Sequence, residues 1–386
     1  MRVHVVDPSA YTPPYDHALC RALAAAGAEV ELYTSRFAYG QVPPPEGYAR
    51  HESFYRLAHR TAATGARSRA NQALKLAEHV PDMLRYRREA RAADIVHFQW
   101  LTVQPLDVHL LPRRRPAAQG IRPQLVLTAH DVLPREPRPG QLAAQRRLYG
   151  RFDAVVVHSE HGRERLLALG VDGERVHVIQ HGAFTHLAAP PTGAPGDVGS
   201  GGAEYSLPSQ TEQPVVLFFG LLRAYKGLEV LLRAWHGVEN AELWIVGMPR
   251  MDVATLKAAA PPNVRFVPRF IPDAQLPAYF ARADLVVLPY LEADQSGVLF
   301  TALAFGKPLL LSDVGGFSEV AATGLARTVP AGDSAALHAV LRELLADPIA
   351  LAAMTDRAHA AAAGPYSWEA IAQRTLELYR SLLVGV

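Results

Sequence analysis

The stretch that most constrains this chain runs from Asp284 to Glu319, DLVVLPYLEADQSGVLFTALAFGKPLLLSDVGGFSE. Leu285 to Leu288 is apolar at every position and is halted by Pro289, the pattern of a strand buried on both faces. A polar loop, Leu291 to Ser296, precedes Gly297 and the compact apolar run Val298 to Phe305, which has helical length. Gly306-Lys307-Pro308 closes that run with glycine, cation and proline in the order of a helix stop. A second apolar run, Pro308 to Leu311, leads into Asp313-Val314-Gly315-Gly316. Strand, loop, helix and strand make one βαβ unit. Its helix starts at Ser296-Gly297-Val298, where open amide groups and the positive dipole end suit a phosphate. Standing alone, the same residues would serve equally well as an ordinary βα turn.

With 386 residues the chain exceeds what one hydrophobic core holds, so two domains are expected. Its 49% hydrophobic and 20% charged content is that of a globular protein. No run reaches the roughly 18 apolar residues that span a bilayer. The opening MRVHVVDPSAY is too short in its apolar part for a signal peptide and reads as the first strand. One cysteine, Cys20, permits no internal disulfide and sits in an Ala/Leu-rich helical pattern, as a core thiol would. A cytoplasmic setting is the expectation. The net charge of +2 hides an asymmetry, because residues 1–186 hold 25 Lys and Arg against 18 Asp and Glu, and the remainder 14 against 19. Region 50–91 alone holds ten basic and four acidic residues. It is either a peripheral contact for an anionic membrane or acidic acceptor, or a solvated helical face.

Taken in order, Arg2 to Asp7 is an apolar strand. A loop with Tyr11, Pro13, Pro14, Tyr15 and Asp16 follows, then a helix from His17 to Ala26 and a strand from Glu29 to Thr34. This is the start of a doubly wound sheet. It lacks the Gly-x-Gly-x-x-Gly fingerprint, which argues against a dinucleotide cofactor. Residues 36–92 read as irregularly helical. Strands resume at Asp94–Phe98, Gln124–Thr128, Ala154–Val157 and Arg175–Ile179, and they deliver His97, His130, Ser159 and His181 at one sheet edge. Any one of these histidines alone reads as structural, but their repeated position just past a strand points to a functional role for at least one. Residues 187–213, rich in Pro, Gly and Ser, read as a flexible linker or insertion.

A second domain, 214–366, begins with the buried strand Pro214–Phe219 and a helix from Gly227 to Trp235. Between them lies GLLRAYKG, Gly220 to Gly227, in which Arg223 and Lys226 flank a backbone that can approach a ligand closely. Such a loop fits a diphosphate, and two surface cations are the plainer reading. Further strands are expected at Leu243–Val246 and Val264–Val267, and helices at Asp273–Arg282, Asp333–Leu345 and Ile349–Ala363. The last segment, Ser367 to Leu383, is an amphipathic helix with a serine cap.

The Gly…Arg…Lys-Gly loop, the ADLVVLPY strand and FGKPLLLSDVGGFSE together resemble the family-4 retaining glycosyltransferases of the GT-B fold. The resemblance implies an α/β protein, two Rossmann-like doubly wound domains facing each other across a cleft, with the C-terminal helix 367–386 crossing back to the N-terminal domain, 1–186. It implies a nucleotide-diphosphate sugar as co-substrate on the C-terminal domain, and a carbohydrate, lipid-linked or small-molecule acceptor on the other. Arg223, Lys226, Ser296, Gly297 and Val298 would bind the diphosphate, although Leu221 stands where the family carries its arginine. Gly220, Gly247, Arg269, Ile271 and Thr301 would line base and ribose, with Thr301 in place of the usual second glutamate. His130 and Asp294 would be catalytic, Glu292 being the alternative acid. Tyr15, Asp16, His97, Glu292 and Gln295 would face the sugar and acceptor.

The function these residues imply is sugar transfer to a hydroxyl with retention of configuration. No cofactor or metal is expected, since no Asp-x-Asp pair offers a metal site, and no nucleic-acid partner. A non-hydrolysing sugar-nucleotide epimerase of the same fold and a non-catalytic nucleotide-sugar-binding protein are the alternatives.

Overall fold

A computed structural model describes residues 1–38, 40–61, 69–113, 115–117, 120–133, 139–188 and 207–384. The chain divides into two compact units, Met1–Gly182 with Pro365–Val386, and Ala183–Gly364.

The first unit is built on β1 (Arg2–Asp7), β2 (Glu29–Ser35), β3 (Ala49–Phe54), β4 (Ile95–Phe98), the hairpin β5 (Arg115–Ala117) and β6 (Gly120–Arg122), then β7 (Gln124–Thr128), β8 (Ala154–Val157) and β9 (Val176–Val178). Seven of these form one sheet in the order β3-β2-β1-β4-β7-β8-β9, every described pairing being parallel. The chain winds outward from β1 through β2 and β3, then restarts on the other side at β4. That reversal makes the carboxyl ends of β1 and β4 the switch point, where open α/β sheets bind ligands. Strands β4, β7 and β8 are buried at every residue, β8 apolar throughout and the other two apolar but for His97, Gln124 and Thr128.

Three local readings are corrected. The first helix starts at Pro13, not His17, so Tyr15 and Asp16 are helical. Two prolines at the first helical positions fix φ and forfeit amides that would have no partner there anyway. Within 36–92 lies an edge strand, β3, whose sequence ARHESF lacks an apolar run because it pairs on one side alone. The helix Arg69–Glu89 then runs for 21 residues through Pro81. Glu78 accepts the Leu57 and Ala58 amides at 2.8 Å each, so part of that segment's acid is committed to local structure. The strand expected from Arg175 is shorter, because Gly173–Arg175 is a single 3₁₀ turn capped by Asp172.

The second unit contains β10 (Val215–Phe219), β11 (Glu242–Val246), β12 (Val264–Val267), β13 (Leu285–Leu288), β14 (Leu309–Ser312) and β15 (Ala326–Val329). They form a parallel sheet in the order β12-β11-β10-β13-β14-β15. Its switch point lies between β10 and β13. Trp235 and Trp244 are fully buried in this unit. The sequence reading missed β15 and the short helix Phe317–Ala321, both too brief to show a period.

Of the segment 187–213, residues 189–206 lie outside the described residues. Its last part is tied down by Arg282, which donates to the Thr211 carbonyl at 2.8 Å. No helix among the described residues is long and apolar enough to cross a membrane.

Candidate functional site

In the second unit the loops after β10 and β13 flank the switch point, and glycines let them interlock. Gly227 has φ +70°, and a Cβ there would fall 1.8 Å from the Pro289 carbonyl oxygen. Leu291 donates its amide to the Tyr225 carbonyl at 2.7 Å. A Cβ on Gly247 would meet the Gly220 oxygen at 1.7 Å, and one on Gly315 the Ala293 oxygen at 1.7 Å. Only glycine fits at such contacts.

This packing brings Gly220, Lys226 and the helix Gly297–Ala304 together. A Cβ on Gly220 would lie 3.0 Å from Lys226 Nζ and 3.1 Å from Val298 Cγ2. Lys226 is buried, with its ammonium 4.8 Å from the centroid of the Tyr290 ring. No carboxylate pairs with it among the described residues. Ser296 stands at the helix start but gives no side-chain cap; its hydroxyl is 3.3 Å from Tyr290 Oη. The Gly297 and Val298 amides therefore meet no acceptor among the described residues. A buried cation and open amides at a helix N-terminus make an anion site.

The other residues expected here are placed around it. Arg223 is exposed one turn from Lys226. Asp294 is held by its carbonyl, which accepts the Gly316 amide at 3.3 Å, while Glu292 is exposed and Gln295 half-buried. Thr301 is buried and donates its hydroxyl to the Gly297 carbonyl at 2.9 Å, leaving its lone pairs for a ligand. Arg269 and Ile271 follow the edge strand β12, two strands from β10, so the structure does not gather them at the lysine. Arg269 donates to Gln275 at 2.9 Å and to Tyr279 Oη at 3.4 Å.

In the first unit the carboxyl edge of the sheet carries an imidazole cluster. Tyr15 is its hub, with ring centroids 4.7 Å from His130, 5.7 Å from His158, 4.9 Å from His181 and 5.0 Å from Trp368. His97 is buried and satisfied at both nitrogens, by Tyr379 Oη at 2.6 Å and Thr128 Oγ1 at 2.7 Å. His158 Nδ1 faces the Ile179 carbonyl at 2.9 Å, and its Nε2 lies 3.2 Å from His130 Nδ1. His130 is partly exposed, stacked on Trp100 with centroids 5.0 Å apart.

Burial dominates the titration of these rings. It lowers His158 to about 4 and His97 to about 3, and holds His130 and His181 well below the ordinary imidazole value. All four are neutral at pH 7, and a carbonyl partner then fixes the tautomers of His158 and His181. A carbonyl can only accept, so His158 carries its proton on Nδ1 and accepts at Nε2. His130 must then donate from Nδ1 and accept at Nε2, so the Gln99 carboxamide 3.2 Å away turns its NH2 toward that nitrogen.

Asp16 does not reach this ring cluster as a free carboxylate. It is buried against Asp7, which accepts the amides of Ser9, Tyr11 and Thr12 at 3.2, 2.6 and 3.2 Å. Burial first, then the Asp7 charge, raises the Asp16 carboxyl well above its usual range, so Asp16 holds a proton and donates it to Asp7. Ser159, at the same strand edge, caps the following helix by accepting the Gly162 amide at 3.1 Å. His158, the residue before it, is the one the sequence reading passed over. The same signal, a polar residue just past a buried strand, could have found it.

Comparison with known proteins agrees with this architecture. The family profile described as Glycosyl transferase 4-like domain matches residues 14–182, and that described as Glycosyl transferases group 1 matches residues 213–347. A D-inositol 3-phosphate glycosyltransferase of Catenulispora acidiphila is 29% identical over 315 residues, 76% of this chain and 73% of its own. Among solved structures, a sucrose-phosphate synthase from Thermosynechococcus elongatus superposes with a TM-score of 0.72 at 20% identity, covering all of both chains. Anabaena HepE in complex with UDP-glucose gives 0.67 at 18% identity, over 99% of this chain and 100% of that one. Two parallel-sheet Rossmann-like units, each matched by its own family profile, establish the GT-B fold, and the chain belongs to the family-4 glycosyltransferases.

Proposed function

We propose that the protein transfers a sugar from a nucleotide-diphosphate donor to an acceptor hydroxyl, with retention of configuration and without a metal. The observation that carries this is Lys226, a buried cation with no carboxylate partner among the described residues, set beside the open Gly297 and Val298 amides. Breaking the glycosidic bond develops charge on the leaving diphosphate. Lys226, the exposed Arg223 and the helix start offer that charge fixed donors.

In a front-face reaction the leaving phosphate oxygen takes the acceptor proton, so no enzyme nucleophile is required. His130 and Asp294 then orient the reacting sugars, the carboxylate by accepting hydrogen bonds from the donor sugar. Thr301 and the Gly220–Gly247 contact are assigned to ribose and base, with Arg269 and Ile271 further out along the edge. Retention is the stereochemistry that the family resemblance implies. Contact with an anionic membrane through region 50–91 belongs to the same reading. Arg56, Arg60, Arg88 and Arg91 are exposed in that region, and so are Leu57 and Leu76, at 54% and 52%.

The test is consumption of UDP-, GDP- and ADP-sugars in the presence of mixed acceptors, with and without a chelator, followed by anomeric analysis of the product. A retained product formed in chelator supports every part. An inverted product removes the stereochemistry, loss of activity in chelator removes metal independence, and an epimerised nucleotide sugar without transfer replaces the whole reading.

A further inference from the structure

A cavity of about 610 Å³ opens within the first unit at the amino ends of β7 and β8. That volume falls in the range of small-molecule sites, roughly 300–1,000 Å³. Strand β7 is five residues long, so about 16 Å of sheet separates this cavity from the imidazole edge. Three helices end around it. Arg87 lies in the last turn of the helix Arg69–Glu89, His109 in that of the helix Gln104–Leu110, and Arg151 just past the helix Gln141–Tyr149. Arg113 completes the basic part of the wall. Leu111 and Leu125, 6% and 3% exposed, give it an apolar part.

Helix carboxyl ends attract cations, and basic side chains gathered there can serve the open carbonyls. That role does not account for Arg87 and Arg113, which make no hydrogen bond or ion pair among the described residues. Burial, then the charges of Arg113 and Arg91, lowers the pKa of Arg87, so its neighbours are cations rather than an acid. Asp153, beside the wall, accepts the Leu125 amide at 2.7 Å. Residues 111–123, LPRRRPAAQGIRP, hold four arginines and no acid, so that stretch can contribute no carboxylate. Guanidinium groups that converge on a concave surface without a carboxylate suit phosphoryl oxygens, which their planar forks meet in pairs. The two leucines offer contact to a carbon skeleton beside the phosphate.

We propose that this cavity binds a phosphorylated small molecule, with Arg87 and Arg113 on the phosphoryl oxygens. The site stands apart from the imidazole edge of its own sheet and does not depend on the transfer reading. Its phosphoryl group comes either from a soluble ester or from a lipid headgroup, which present the same chemistry.

The experiment titrates the full chain by calorimetry with pyrophosphate, glucose 6-phosphate and glucose, at an ionic strength held constant with sodium chloride. Wild type and Lys226→Ala are compared, because the second lacks the lysine assigned to the donor diphosphate. Saturable binding of both phosphates, and none of glucose, should persist in Lys226→Ala. In that background Arg87→Gln and Arg113→Gln should each weaken it about tenfold, and Arg87→Lys less. Cosedimentation with phosphatidylcholine vesicles, with and without phosphatidylglycerol, separates the sources. Binding to the anionic vesicles that pyrophosphate competes away and both glutamine variants lose assigns a headgroup; vesicle binding unchanged by those variants assigns a soluble ester. Absence of saturable phosphate binding in Lys226→Ala overturns the proposal, as does equal binding of glucose. Undiminished phosphate binding in folded Arg87→Gln and Arg113→Gln variants overturns it as well.

Discussion

His158 Nε2 and His130 Nδ1 lie 3.2 Å apart, and because both rings are neutral the hydrogen bond between them runs one way, from His130 to His158. His158 thereby sets which face of His130 can accept. His158→Leu should lower turnover while leaving the affinity for free nucleoside diphosphate within about twofold, and His158→Gln, whose carboxamide can still accept, should recover part of it. Equal turnover in wild type and the leucine variant would show that the pair has no part in the reaction.

The diphosphate assignment turns on Lys226. Lys226→Ala should weaken binding of the nucleoside diphosphate by about 1.5–3 kcal/mol, and Arg223→Ala by less, because Arg223 is exposed. Calorimetry with the free diphosphate checks both. Wild-type affinity in the lysine variant would place the donor elsewhere.

His130→Ala and Asp294→Ala should each cost on the order of 2–4 kcal/mol in the transition state with little loss of nucleotide affinity. Kinetic constants measured beside the calorimetric ones decide it. If Asp294→Ala keeps its turnover and Glu292→Ala loses it, the acid is Glu292.

Stability should fall on acidification before most carboxylates titrate. Unfolded histidines bind protons near 6.5, but His158 in the fold waits until about 4 and His97 until about 3. Between those values the unfolded state holds more protons, so the contribution is complete above the ordinary imidazole value and shrinks as pH falls, by about 1.4 kcal/mol per pH unit for each ring. Urea midpoints taken at about pH 7.5 and about pH 5.5 report it. Identical midpoints would mean that the cluster is not held neutral by the fold.

Asp16 carries the opposite sign. Its carboxyl is raised from 3.8, so the folded state holds the extra proton, and stability declines as pH rises from the ordinary carboxylate range toward the raised value. Asp16→Asn keeps a donor to Asp7 without a titrating group. The variant should gain stability relative to wild type as pH increases, and a gap that is constant across pH would contradict the shared proton.

Much of this architecture was legible because parallel strands buried on both faces must be apolar throughout. Gln124–Thr128 and Ala154–Val157, buried at every residue, have the same limits in sequence and structure. The edge strand Ala49–Phe54 was not legible, since an edge needs little apolar character. At the site, Lys226 and Ser296 were visible as loop residues just past strands. What brings them together was not: a Gly220 that must lack a side chain to let Lys226 and Val298 close over it. The Asp7–Asp16 proton pair, Trp368 against Tyr15 and Tyr379 on His97 are contacts across the fold, and no local pattern encodes them.

The helix Trp368–Val384 belongs to the unit that begins at Met1, and it supplies Tyr379 to His97 and Trp368 to the ring cluster. A ribosome therefore delivers all seven strands of that sheet long before it delivers the helix that completes them. Throughout the synthesis of residues 183–364 the nascent sheet has its histidines and Tyr15 but not Tyr379 or Trp368, and the side of the helix Pro13–Ala25 against which the last helix packs waits uncovered. The imidazole cluster is consequently the last part of the first unit to be finished, so an interrupted translation product would hold a nearly complete sheet without an assembled site.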